Sequence, residues 1–179
     1  KPDAYLPKAH VLSNGYYSVV TTDKGTGYSR TKDYAITRWR EDSISDRYGM
    51  YFYIKNKESG ETWSAAYAPF HVLPEEYEVA FTADKTLIKR KNGEIETLTE
   101  IIVTSGDYAE IRRIKLKNNE EKSCDLEVTS YYEVVMAEQK SDEAHPAFSN
   151  LFIETEFNQE YHALLAHRRP RSDKDKEVW

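Results

Sequence analysis

The sequence predicts an all-β fold, an antiparallel sandwich or barrel, and three observations carry that prediction. Runs rich in tyrosine, valine, isoleucine and threonine recur at roughly ten-residue spacing. Turn chemistry such as Asn-Gly, Ser-Gly-Asp and Asn-Asn separates those runs. Fourteen of the 179 residues are tyrosine, while apolar stripes at helical spacing are scarce. That length suits one domain with a substantial core.

Residues 1–12 hold two prolines and no periodicity, and read as an extended N-terminal arm ahead of a β-domain over 13–179. The first strand is predicted at 16–22, followed by a tight turn on Gly25 and Gly27. Residues 49–55 form the next strand, with Asn56 and Gly60 as left-handed turn positions and 61–67 as its return. Pro69 and Pro74 bracket a loop, after which 77–82 alternates cleanly and 86–91 comes back. Asn92-Gly93 is the strongest hairpin signal in the chain, and Ile95, Thr97, Thr99, Ile101 and Val103 then share one face. In 108–117 the apolar positions slip phase between Ile111 and Ile114, which predicts a β-bulge. Residues 123–136 read as one long strand with Cys124, Leu126, Val128, Ser130, Tyr132, Val134 and Met136 inward. The polar stretch 137–150 breaks the pattern and is predicted as a long loop, before closing strands at 151–157 and 161–167.

Composition excludes several classes of function. Charged residues make up 31% and hydrophobic ones 39%, the balance of a folded globular chain. The net charge is −6 with scattered Lys and Arg, so no footprint for nucleic acid exists. No apolar run approaches the roughly 18 residues of a membrane helix, so no membrane contact by this domain is expected. A lone Cys124 rules out an internal disulfide, and the expectation is a small core residue in a cytoplasmic protein.

Several motifs fall short. The run from Gly25 to Arg30 (GTGYSR) begins like a dinucleotide fingerprint but lacks its third glycine, and Gly27 to Thr31 lacks the closing glycine of a nucleophile elbow. Five histidines stand singly, so neither metal nor cofactor is expected. Glu154 and Glu156 share a strand face roughly 7 Å apart, a spacing compatible with glycosidase pairs. Glutamates on an outer strand face are ordinarily just solvated, and no catalytic residue is assigned. Tyr28, Arg30, Tyr34, Arg38, Trp39, Arg40, Glu41 and Asp42 crowd into fifteen positions. Flat rings beside planar charged groups suit a sugar, whose C–H faces stack while its hydroxyls hydrogen-bond. The same residues serve equally well as core aromatics and solvated strand arginines.

The runs NGYYSVVTTDKGTGYSR, ITRWRED, EIETLTEIIVTSGDYAEIRRIKLKNN, LEVTSYYEVV, HPAFSNLFIETEF and ALLAHRRPR appear in that order. Together they resemble the N-terminal β-domain of glycosyltransferase family 36, regrouped as glycoside hydrolase family 94. The nearest look-alikes are the phosphorylase modules of cyclic β-1,2-glucan synthases and β-1,2-oligoglucan phosphorylases. The similarity spans residues 11–171, and TRWRED, HPAFSNLF and RRPRS are together specific.

What the resemblance implies is an antiparallel β-supersandwich (galactose mutarotase-like) that precedes a helical linker and an (α/α)6 barrel. In the family the barrel supplies the aspartate acid and phosphate attacks with inversion, making the parent a hexosyltransferase. The chain starts on Lys1 and stops at Trp179, so an excised domain without the barrel and without turnover is expected. Implied partners are a β-glucan oligosaccharide, the C-terminal barrel and, through the family's dimer contacts, a homodimer. Candidate carbohydrate-binding residues carried over by position are Tyr28, Ser29, Arg30, Arg38, Trp39, Arg40 and Asp42, with His145, Phe148 and Asn150 on a loop. Two alternatives stand beside this scaffolding role: a free-standing carbohydrate-binding module, and a purely structural interdomain or dimer interface.

Overall fold

The computed structural model describes residues 2, 6–40, 46–172 and 177–179. Fourteen strands and two short helices are described, and every strand pair is antiparallel. A five-stranded sheet has the order β1 (Ala9–Ser13), β2 (Tyr17–Thr22), β3 (Gly27–Thr31), β4 (Ala35–Thr37), β12 (Val134–Ala137). A three-stranded sheet has the order β11 (Leu126–Tyr131), β5 (Tyr51–Asn56), β6 (Thr62–Ser64). Against both lies a four-stranded sheet, β10 (Glu110–Asn118), β9 (Ile95–Val103), β8 (Thr86–Asn92), β7 (Glu76–Phe81). A hairpin of β13 (Ile153–Asn158) and β14 (Ala163–Arg168) completes the fold.

Period-two alternation in β9 makes the layering possible. Ile95, Thr97, Thr99 and Ile101 are all buried while the residues between them are half-exposed. At one end of that strand Ile101 packs with Leu12, Tyr17 and Val19 of the five-stranded sheet. At the other, Ile95 joins Ile54, Trp63 and Ala65 of the three-stranded sheet. One long strand thus ties two core clusters together. Each fully buried aliphatic side chain such as Val19, Ile54 or Ile101 contributes about 1.5–3 kcal/mol. Cys124 packs against the second cluster, as a small apolar residue should.

The glycine turn is docked, not merely tight. Gly27 has φ +147°, and a Cβ there would sit 2.0 Å from the Val20 carbonyl oxygen. Its amide donates to the Tyr48 carbonyl at 2.9 Å, across to the segment entering β5. The hairpin at Asn92-Gly93 forms as the sequence requires, with Gly93 at φ +53°.

Four readings of the sequence change. The lead-in over residues 1–12 ends inside a strand, because Ala9–Ser13 pairs with β2 from Thr22 back to Ser18. The predicted bulge in β10 does not form: the register from Glu110 to Asn118 against β9 is unbroken. The inward phase there is Glu110, Arg112, Ile114 and Leu116, so two inward positions carry charge and Ile111 faces solvent. Arg112 Nε sits 3.0 Å from Glu110 Oε2, and this enclosed pair makes the polar pattern tolerable inside. The long strand over 123–136 is two strands in different sheets, β11 beside β5 and β12 beside β4. The chain crosses between sheets at Tyr132-Glu133, and Val135, Met136 and Ala137 are then all buried around a register shift. Finally, the 137–150 loop contains α1 (Gln139–Ala144) and α2 (Pro146–Asn150). Pro146 opens the second helix, where its missing N–H costs nothing.

Candidate functional site

Beyond Thr37 the chain leaves β4 extended, and consecutive side chains part company. Arg38 turns toward β12 and the helices. Its amide donates to the Glu133 carbonyl at 2.9 Å, and its Nη1 lies 2.7 Å from Glu133 Oε2. Nε and Nη2 reach Asp142 Oδ2 and Oδ1 at 3.0 and 2.8 Å, a bidentate grip. Nη2 also donates to Asn150 Oδ1 at 2.5 Å. Arg38 is 7% exposed and Asp142 3%. Burial works against the charged guanidinium, yet the Asp142 and Glu133 carboxylates outweigh it and hold its pKa above the ordinary arginine value. One side chain therefore fixes the end of β4, the start of β12, α1 and the last residue of α2.

Trp39 turns the other way, toward Tyr28, with ring centroids 5.3 Å apart and planes at 38°. Tyr28 and Arg30 share the outer face of β3, both half-buried, with Ser29 between them pointing inward. Arg30 donates from Nε to the Thr31 carbonyl and from Nη2 to the Lys32 carbonyl, at 3.1 and 3.2 Å. It lines an open cleft of about 500 Å³ whose walls also carry Lys32, Lys140, Asp33, Glu138 and Glu143. Three cations face three carboxylates there. Such a cleft carries no net formal charge.

The structure treats the other candidates unequally. Ser29 has to be removed from the surface set: it is fully buried, and its hydroxyl donates to Glu110 Oε1 at 2.5 Å between the layers. Arg40 is half-buried, and its Nε is enclosed without a hydrogen-bond partner among the described residues. Asp42 lies outside the described residues. His145 is exposed between α1 and α2, where its carbonyl accepts from the Ser149 amide at 2.9 Å. Phe148 packs edge-on against Phe152 at 5.2 Å, and the Arg171 guanidinium covers both rings. Asn150 is exposed but anchored by Arg38. Glu154 is tied to Arg169 at 2.6 Å and lies 3.3 Å from His167 Nε2.

Reasoning from the sequence missed Glu133 and Asp142, which make Arg38 a clamp. Their partners lie 95 and 104 positions away, and no local periodicity encodes such pairs.

Comparison with known proteins places this geometry in a family. The model of the glycosyl hydrolase 94 supersandwich domain matches residues 1–179. The cyclic beta-(1,2)-glucan synthase NdvB of Rhizobium meliloti (strain 1021) is 34% identical over 168 residues, covering 94% of this chain and 6% of that protein. An N,N'-diacetylchitobiose phosphorylase of Vibrio furnissii is 24% identical over 164 residues, covering 88% of this chain and 20% of its own length. A 3-O-beta-D-glucopyranosyl-beta-D-glucuronide phosphorylase of Paenibacillus borealis is 35% identical over 68 residues, or 38% of this chain and 9% of that enzyme. The chain thus spans at most 20% of the length of these relatives. With its antiparallel layers matched from end to end, the chain belongs to the supersandwich domain family of glycosyl hydrolase family 94.

Proposed function

We propose that this domain scaffolds and shapes one side of a β-glucan site in a larger phosphorylase or synthase, without catalysing the reaction itself. The observation that carries the reading is the Tyr28–Trp39 pair, held on the outer face of β3 one strand repeat from Arg30 and its charge-balanced cleft. Two half-exposed rings offer a stacking surface, and the cleft offers donors and acceptors for hydroxyl groups. The Arg38 clamp supports a scaffolding role, because it fixes α1 and α2 beside that cleft before any ligand arrives. Glutamates 154 and 156 lend no support to turnover here, since Glu154 is already ion-paired. The aspartate acid would come from the barrel of the parent enzyme, with phosphate as the attacking group, and a cytoplasmic placement belongs to the same proposal.

Titration of β-1,2-gluco-oligosaccharides into the chain tests this. Millimolar binding that disappears in Trp39→Ala supports the half-site, and submillimolar binding would promote the domain to an independent carbohydrate-binding module. Complete absence of binding at tens of millimolar leaves the saturated Arg38 network as the signature of a purely structural interdomain or dimer interface.

A further inference from the structure

The outer face of the three-stranded sheet carries a second set of rings that the half-site does not use. Tyr53 and Tyr131 share that face with Tyr51, which is itself buried, since Tyr131 pairs with Tyr51 and Thr129 with Tyr53 across β11 and β5. Tyr53 lies 6.4 Å from Tyr131 at 59°, and Phe70 of the following loop meets it edge-on at 5.7 Å and 74°. Phe70 and Tyr131 remain 44% and 46% exposed.

Both ends of this array are fixed from beneath. The Tyr131 hydroxyl donates to Glu133 Oε1 at 3.3 Å, while Glu133 Oε2 is held by Arg38 at 2.7 Å. On the far side Arg90, 1% exposed, donates to the Ala66 and Val72 carbonyls at 2.5 and 3.3 Å and so braces the loop that presents Phe70. Ring positions fixed in this way cost little entropy when a ligand stacks on them. Tilted by 59° and 74° at these separations, the three rings form one packed cluster that is not coplanar. Its rim carries the half-exposed Glu133 carboxylate, the Tyr131 hydroxyl and the exposed hydroxyl of Thr129.

We infer that Tyr53, Phe70 and Tyr131, bordered by Glu133, form a second carbohydrate contact, for a neutral soluble oligoglucoside. The exposed surfaces of Phe70 and Tyr131 would receive the C–H faces of neighbouring sugars, and the oriented carboxylate would accept from a hydroxyl pair. A flat insoluble polysaccharide would not seat on rings set at these angles. The inference rests on the saccharide reading of the domain given above, but on different residues.

Chemical-shift mapping of the chain with β-1,2-linked glucotetraose separates the two. The expected result is perturbation around residues 53, 70 and 131 that persists in Trp39→Ala. Phe70→Ala and Tyr131→Ala should each weaken that component about tenfold, with an unchanged thermal midpoint for the exposed Phe70 site. Shifts confined to Tyr28 and Trp39 overturn this inference and leave the half-site standing. No shift anywhere overturns both. The inference also fails if Phe70→Ala abolishes a dimer seen by sedimentation while the sugar leaves these residues unmoved, because the ring cluster is then a face for a second copy.

Discussion

Arg38 and Asp142 meet through two parallel hydrogen bonds of 3.0 and 2.8 Å, although 104 positions separate them in the chain. Both are buried, so the pair has lost its water and depends on its geometry. The fork of a guanidinium matches a carboxylate in a way that an ammonium cannot.

Removing one partner should therefore be costly. Asp142→Ala is expected to lower unfolding stability by about 3 kcal/mol, because Arg38 is left buried with only Glu133 and Asn150. Arg38→Lys should recover less than half of what Arg38→Ala loses, since one charge cannot serve Glu133, Asp142 and Asn150 together. Urea unfolding measures both. A loss below about 0.5 kcal/mol for Asp142→Ala would demote the pair to the rank of an exposed ion pair.

Gly27 provides a test of the docked turn. Its φ of +147° suits no side chain, and an added Cβ would stand 2.0 Å from the Val20 oxygen and 2.9 Å from Thr21 Cα. Both obstacles are backbone of the neighbouring strand and cannot swing aside. Gly27→Ala is expected to cost at least about 2 kcal/mol, by thermal denaturation. Gly106→Ala, with open space and no positive φ, should stay within about 0.5 kcal/mol and serves as the control.

These two sites mark where the sequence was legible and where it was not. Local signals were sufficient for the alternating face of β9 and the Asn92-Gly93 hairpin, because side-chain period and turn chemistry are properties of neighbours in the chain. They failed in β10, where Glu110 and Arg112 face inward as a pair and imitate a slipped register. They failed again at Glu133, where a strand-like run changes sheets to satisfy Arg38. For the site, the aromatic and arginine cluster over 28–40 was visible, but not that Arg38 and Trp39 serve opposite directions. The Tyr53, Phe70 and Tyr131 array was invisible because it joins two strands and a loop distant in sequence.

Arg90 is a buried cation bonded to neutral groups: Asn92 Oδ1 at 2.6 Å and the Ala66 and Val72 carbonyls. Burial pulls its pKa below the ordinary arginine value, with no carboxylate bond among the described residues to offset the loss of water. Its return is order in the 65–74 loop. Arg90→Met should leave global stability within about 2 kcal/mol, since an apolar side chain of similar length removes the desolvation cost along with the bonds. The same change should raise amide exchange across residues 66–72 at least tenfold and weaken glucotetraose contact at Phe70. Unchanged exchange in that loop would show that the brace is not needed.

Tyr77 links stability to alkaline pH. Its hydroxyl donates to the Asp23 carbonyl at 2.8 Å and accepts from the Tyr67 amide at 3.2 Å, joining β7 to the glycine turn and the 65–74 loop. Burial disfavours the phenolate and pushes its pKa from 10.0 up to about 12, with the Tyr67 amide acting weakly in the opposite sense. The folded value lies above the unfolded one, so the contribution is complete below pH 10 and is lost as pH rises toward 12. Tyr77→Phe should be weaker than the parent by about 1–2 kcal/mol at pH 7, where the hydroxyl's bonds are intact. Tyr17 and Tyr51 are shifted in the same direction in both proteins, so the difference between the two curves isolates Tyr77. That difference should shrink between pH 10 and 12 in urea midpoints followed by fluorescence. A gap that stays constant over the interval would mean that the Tyr77 hydroxyl ionises equally readily in the folded and unfolded chains.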